Sequence, residues 1–396
     1  MPTISIAFRI PSYTFLKTGL ARAGDAVGRI EDVDRRIRNR RSLVIAQADL
    51  GDREGCAASL RALEKDVAAA AASRPPRHPV EFTNSLAATE LIRAQVAAGC
   101  VEDAFRTADA FSEGYRGRLL GEIAAAAATP NQHMYQPRRK FDARERLARL
   151  EIVRRVEQAA GGIAFADRRP DAELAIAFAE LGEFAEAIRV ARRFGTGAIA
   201  SRPSIDLTAT PYILFMIGRA QAQAGRKGEA RSTLREAFAL IERDADLIRT
   251  RGGQVASGQI EADDADGALR TIELMHNEER PRLLADLAAL RARSGDAAGA
   301  RSTFARALRE AEEQAGPRRV AADVASIQGA SGDLAAAAAT LRKITDPAEG
   351  AAAARETATA LVRVGDPDGA LRWALSLEAP LRSDALIGLA EAVNRP

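Results

Sequence analysis

The sequence predicts an all-α protein, an α-solenoid of stacked antiparallel helix pairs. Three observations carry that expectation. Of 396 residues, 87 are alanine, about 22%, and aromatics make up only 5%. Ala, Leu, Arg and Glu are helix formers, while the shortage of β-branched residues and rings argues against a large sheet. A short turn centred on glycine recurs along the chain, and the residues at fixed offsets from it repeat as well. A repeat array also explains how a chain this long escapes division into separate globular domains.

The ends and the charge come next. The N-terminus alternates Ile4, Ile6, Phe8 and Ile10, a strand-like spacing or an arm docked on the first helices. It has no basic start, and Arg9 and Pro11 interrupt it, so it makes a poor signal peptide. No apolar run approaches the roughly 18 residues needed to span a bilayer. Cys56 and Cys100 are the only cysteines, too few for a secreted disulfide scaffold. A reducing, cytoplasmic setting is therefore expected. The 57 basic and 54 acidic residues differ by 57 − 54 = +3, so the net charge points to neither nucleic acid nor membrane.

The turn anchors are Gly51, Gly99, Gly182, Gly225, Gly295, Gly332 and Gly365, with Asp263 in an eighth copy. Five residues after each anchor stand Cys56, Ala104, Ala187, Ala230, Ala268, Ala300, Ala337 and Ala370. Seven alanines in eight is far above the background and marks a site where helix axes cross closely. Nine after the anchor come Leu60, Ala108, Ala191, Leu234, Ile272, Phe304, Leu341 and Ala374; eight before it come Leu43, Leu91, Leu174, Ile217, Val255, Leu287, Val324 and Thr357. Glycine ends the first helix because it takes φ > 0 without a Cβ clash. An acidic residue then caps the second helix, as at Asp296, Asp333, Asp366 and Glu183. Neither helix of a pair buries its apolar stripe alone, so the pairs must stack.

From Gly182 the anchors follow at 43, 38, 32, 37 and 33 residues. With Gly182-Glu183-Phe184-Ala185-Glu186-Ala187-Ile188, Leu214-Phe215-Met216-Ile217-Gly218 and Ala307-Leu308, this resembles the tetratricopeptide (TPR) family, whose unit is about 34 residues. The resemblance is good over 170–377 and fair over 38–112. It implies a right-handed solenoid of about nine pairs, whose first helices line a concave groove for a partner protein. The expected organisation is an arm at 1–16, helix pairs at 17–112, a divergent pair with a long loop (129–140) at 113–169, repeats at 170–377, and a capping helix at 378–396. Ala23-Gly24-Asp25 reads as a degenerate first turn.

The chain departs from the family four residues before the anchor, where an aromatic is usual. Gln47, Gln95, Gln221, Gln259 and Gln328 stand there, five of the chain's eleven glutamines. Buried amides must be bonded, so a structural ladder tying each repeat to its neighbour is expected; a row of amides touching a bound peptide is the alternative.

Motifs for chemistry are weak. Gly195-Thr196-Gly197-Ala198-Ile199-Ala200 spells a dinucleotide fingerprint, but a helix precedes it where the fingerprint needs a strand, and no acid follows at the ribose distance. His78, His133 and His276 are scattered, without partners at metal-ligand spacing. Ser331 stands in a repeat turn, not a nucleophile elbow. Neither catalytic residue, metal nor cofactor is expected.

The slots 13, 10, 6, 3 and 2 before the anchor share one helical face. Of these 40 positions ten are arginine and three acidic. The expected groove is formed by Arg93, Arg169, Tyr212, Phe215, Arg219, Arg282, Arg319 and Arg355, binding an acidic or C-terminal segment of a partner protein. A regulatory or sensor module with a small ligand in the groove is the second reading. Clusters such as Arg138-Arg139-Lys140 raise a nucleic-acid alternative, but acids flank the N-terminal cluster at Arg35-Arg36 and few aromatics are available for base stacking.

Overall fold

The computed structural model describes residues 13–73, 80–129, 141–163, 170–198, 209–313, 318–363 and 365–393. Among these residues every regular element is an α-helix. Contacts divide the chain into two compact units, 1–213 and 214–396. In the first lie α1 (Tyr13–Gly28), α2 (Val33–Leu50), α3 (Arg53–Ser73), α4 (Val80–Ala97), α5 (Val101–Asp109), α6 (Glu113–Ala128), α7 (Ala143–Gly161), α8 (Asp171–Glu180) and α9 (Phe184–Ala198). Helix α10 (Ala209–Gln223) crosses the division, and the second unit continues with α11 (Lys227–Ile241), α12 (Ala245–Glu261), α13 (Ala265–Leu274), α14 (Arg280–Arg293), α15 (Ala297–Glu313), α16 (Arg318–Ala330), α17 (Leu334–Leu341), α18 (Pro347–Arg363), α19 (Pro367–Ser376) and α20 (Ala379–Val393).

Among the described residues nine helix pairs run from α2/α3 to α18/α19, with α1 and α20 outside them. In the first unit α2, α4, α6 and α8 stack in sequence; in the second α12, α14, α16, α18 and α20 do. This is an all-helical repeat fold, as the composition and anchors require.

The anchors work as the physics demands. All seven glycines have φ between 75° and 92°, and among the described residues Asp263 is the one non-glycine with positive φ, at 57°. The turn closes through two backbone bonds. The anchor N–H donates three residues back, and the next N–H donates to the carbonyl four before the anchor, as in Gly295 N–H to Ala292 O (3.1 Å) and Asp296 N–H to Arg291 O (2.9 Å). The second helix is then capped: Asp264, Asp296, Asp333 and Asp366 accept from the N–H three residues on, at 2.7–3.1 Å. The alanines five past the anchor are buried to between 0 and 4% exposure, which confirms a close crossing.

One expectation needs correction. Gly24 is not a turn: α1 runs through it, and its Cβ position lies at ordinary contact distance, 3.5 Å, from Leu43 Cδ2 of α2. Gly195 and Gly197, expected at a helix end rather than in a phosphate loop, fall inside the last turn of α9. The 130–140 loop, the arm at 1–12 and residues 199–208 lie outside the described residues.

Candidate peptide-binding face

The glutamine slot sits directly beneath the first-helix face. Gln47, Gln95, Gln221, Gln259 and Gln328 are 1–3% exposed. Their partners are in their own repeat rather than the next. Hydroxyls of Thr107, Thr271 and Thr340, twelve residues on, donate to the Oε1 of Gln95, Gln259 and Gln328 at 3.1, 2.7 and 2.7 Å. Arg291 fills the slot in another copy and donates to Thr303 Oγ1 at 2.7 Å. The sequence carries the pairing. Where the slot is Gln or Arg, the residue twelve on is Ser59, Thr107, Thr233, Thr271, Thr303 or Thr340; where it is Phe178 or Leu361, that residue is Val190 or Trp373. Polar thus meets polar, and apolar meets apolar, between the two helices of one pair. In two copies Gln47 and Gln221 leave Oε1 buried and unbonded among the described residues.

Above this layer the arginines meet carboxylates. In the first unit Arg41 of α2 pairs with Glu90 of α4 at 2.7 Å, and Arg93 of α4 with Glu122 of α6 at 2.7 Å. In the second unit Arg219 of α10 pairs with Glu261 of α12 at 3.1 Å, and Arg355 of α18 with Asp384 and Glu391 of α20 at 3.2 and 3.9 Å. Each arginine bonds the following first helix, so the row acts as a ladder between stacked repeats. The pairs are partly exposed and each contributes about 0–1 kcal/mol, but they neutralise the arginines on which a basic groove depends.

One of these carboxylates, Glu90, belongs to a slot outside the five considered for the groove, and Glu261 stands in one of those five. Nine before the anchor stand Glu90, Glu173, Asp286, Asp323 and Glu356, five acids in eight copies. That slot lies one turn past the first counted one, on the same face. Including it changes ten arginines against three acids into ten against 3 + 5 = 8. The signal was available in the sequence.

Helix α14, like α8, α12 and α16, carries no ladder arginine: its positions 10 and 6 before the anchor are Ala285 and Ala289. Arg282 and Arg293 flank them, exposed and without an ion-pair partner among the described residues. Between them Asp286 is pushed up to about 6 by burial; Arg282 and Arg293 oppose the shift, and Asp323 of α16 adds to it. In the first unit Glu173 is also raised, first by the protein around it and then by Glu122 and Asp171, while Arg118 and its own backbone lower it. Its side chain nonetheless reaches water, which screens the effect.

The expected groove residues therefore divide. Arg93, Arg219 and Arg355 are bound in the ladder. Arg282 is exposed and has no ion pair among the described residues. Phe215 is not surface at all: it is 7% exposed and lies against Gly258 of α12, whose missing Cβ would stand 3.1 Å from its ring. Tyr212 is half-buried. Arg169 and the Arg319 side chain lie outside the described residues.

A cavity of about 310 Å³ between α7, α8 and α9 is lined by Arg154, Glu157, Gln158, Phe178 and Glu186. Its charges are largely satisfied, since Arg189 holds both Glu157 and Glu186 and Arg193 also reaches Glu157. No group of metal-ligating side chains occurs among the described residues. No described helix is long and apolar enough to cross a membrane.

No protein-family model matches the sequence, and no curated protein matches it. Similar solved structures include Ton1535 from Thermococcus onnurineus NA1, at 16% identity and a TM-score of 0.32, covering 87% of this chain and 98% of that one. A circular tandem repeat protein with novel repeat topology and enhanced subunit contact surfaces is 15% identical, with a TM-score of 0.22, covering 96% and 89%. Scores this low constrain neither fold nor function, and the helical repeat architecture rests on the packing described above.

Proposed function

We propose that this protein is a TPR-like interaction module that seats a segment of a partner protein on the first-helix face of α12, α14 and α16. Arg282 and Arg293 are the anchors. The observation that carries this reading is their placement: both stand exposed on α14 with no ion-pair partner among the described residues, as Arg363 of α18 also does, whereas Arg219 of α10 and Arg355 of α18 are tied to a following helix. A guanidinium binds both oxygens of a carboxylate, so the partner segment carries an acidic side chain or a free C-terminus. The ladder arginines Arg219 and Arg355 are expected to hold the scaffold rather than the ligand.

The test is fluorescence anisotropy with a labelled peptide rich in Asp and Glu and ending in a free carboxylate. Binding that weakens with salt and is lost in Arg282→Glu/Arg293→Glu supports the proposal. Equal binding by wild type and variant would sink it.

A further inference from the structure

Cys56 and Cys100, the only two cysteines of the chain, both stand where the repeat places something else. Five residues after the anchor, the seven copies other than Cys56 carry alanine. One residue after it, six of the eight copies carry an acid: Asp52, Glu183, Asp264, Asp296, Asp333 and Asp366. Cys100 takes that N-cap place on α5 and makes no side-chain cap bond. Neither departure serves the repeat, because alanine fills the helix crossing and an acid caps the helix better than a thiol does.

The two departures meet in the folded chain. They belong to consecutive helix pairs of the first unit, α2/α3 and α4/α5. Cys56 of α3 lies in the buried cluster that holds Val44, Leu60, Leu63 and Leu91, and Cys100 packs against that same cluster from the α4–α5 turn. Both thiols are free. Cys56 is 5% exposed, with its Sγ 3.8 Å from Val44 O. Burial pushes the Cys56 thiol up, and Cys100 and then Asp52 add to the shift, so the two sulfurs are within electrostatic reach of each other. Cys100 is half-buried and touches water. One thiol is thus accessible and the other is held protonated behind it, the arrangement of a reacting and a resolving cysteine.

We propose that Cys56 and Cys100 are a peroxide-sensitive modification site, where oxidation joins the first helix pair to the second by a disulfide. The Cys100 sulfur attacks hydrogen peroxide and becomes a sulfenic acid, releasing one water. The Cys56 sulfur then attacks the Cys100 sulfur; the S–S bond forms, and the sulfenic hydroxyl leaves with the Cys56 proton as a second water. Two thiols are oxidised and one peroxide is reduced. A small thiol reverses the step by exchange, which suits the reducing setting that the cysteine count leads one to expect. The proposal does not rest on the peptide reading, which concerns α12 to α16.

The test is to treat the full chain with hydrogen peroxide, block it with iodoacetamide, and digest it without reduction for mass spectrometry. The expected product is a peptide pair joined through Cys56 and Cys100 within one chain, lost on adding dithiothreitol. Cys56→Ala and Cys100→Asp install the residues that other copies carry at these places, so both variants keep the fold. Cys56→Ala is expected to leave Cys100 as a sulfenic acid that dimedone captures. Cys100→Asp is expected to leave Cys56 reduced at the same peroxide dose. Wild-type thiols that both stay reduced, wild-type oxidation that stops at Cys100, cross-links only between chains, or Cys56 oxidised as readily in Cys100→Asp would overturn the proposal.

Discussion

Replacing the buried Thr271 hydroxyl by a methyl, Thr271→Val, probes the polar layer between the two helices of one repeat. Thr271 is 0% exposed and Gln259 2%, and the bond between them is 2.7 Å. Valine keeps the volume but strands Gln259 Oε1 without a donor, at a cost of about 1–3 kcal/mol. Gln259→Leu alone costs less, about 0.5–1 kcal/mol, because the Thr271 hydroxyl keeps Gly267 O at 3.1 Å. The double variant copies the apolar pairs Phe178/Val190 and Leu361/Trp373 already present in the chain, and should unfold close to wild type. The coupling energy is therefore about 1.5–4 kcal/mol. Urea titration followed by the fluorescence of Trp373, the single tryptophan and a residue of the same unit, reads it. Additive losses would refute a pairwise lock. A costless Thr271→Val that instead weakens peptide binding would favour amides that serve a ligand.

Three further outcomes follow from the same structure. Gly258→Ala brings a Cβ to 2.8 Å from Leu234 Cδ2 and 3.1 Å from Phe215; overpacking of about 1–3 kcal/mol outweighs the helix propensity gained, whereas Gly228→Ala, with open space at its Cβ, should stabilise by about 0.5 kcal/mol in the same urea titration. Asp286 is raised from 3.8 to about 6, so the folded state binds the extra proton between those values and stability falls as pH rises through them. Asp286→Asn should therefore stabilise by about 1–2 kcal/mol at neutral pH and by nothing below the unfolded pKa. Protonating Asp286 also removes a negative charge beside Arg282, so anisotropy should show acidic-peptide affinity rising as pH falls through about 6, and Asp286→Asn should flatten that rise.

The repeat was legible because each of its requirements falls on one residue. A positive φ selects the anchor glycines, and a zero-clearance crossing selects Ala104, Ala187 or Ala268. The polar layer was half legible: the glutamines were visible, but their partners were expected in the next repeat, and the matching hydroxyls twelve residues on show otherwise. The face was misread where its physics is long-range. Arg41 and Glu90 are 49 positions apart and Arg93 and Glu122 are 29 apart, so counting one face by sign saw the cations and missed the acids that hold them. Phe215 looked like surface because its slot faces the groove; only Gly258, 43 residues later, makes the space that buries it.

The central claim is that one face carries two kinds of arginine, those that join repeats and those that meet a ligand. Comparing Arg219→Glu, Arg219→Glu/Glu261→Arg and Arg282→Glu in both urea unfolding and acidic-peptide anisotropy tests it most directly. The account predicts that Arg219→Glu loses stability, that the swap restores it, and that both keep wild-type affinity, while Arg282→Glu keeps stability and loses binding. Binding lost at Arg219 and retained at Arg282 would contradict it.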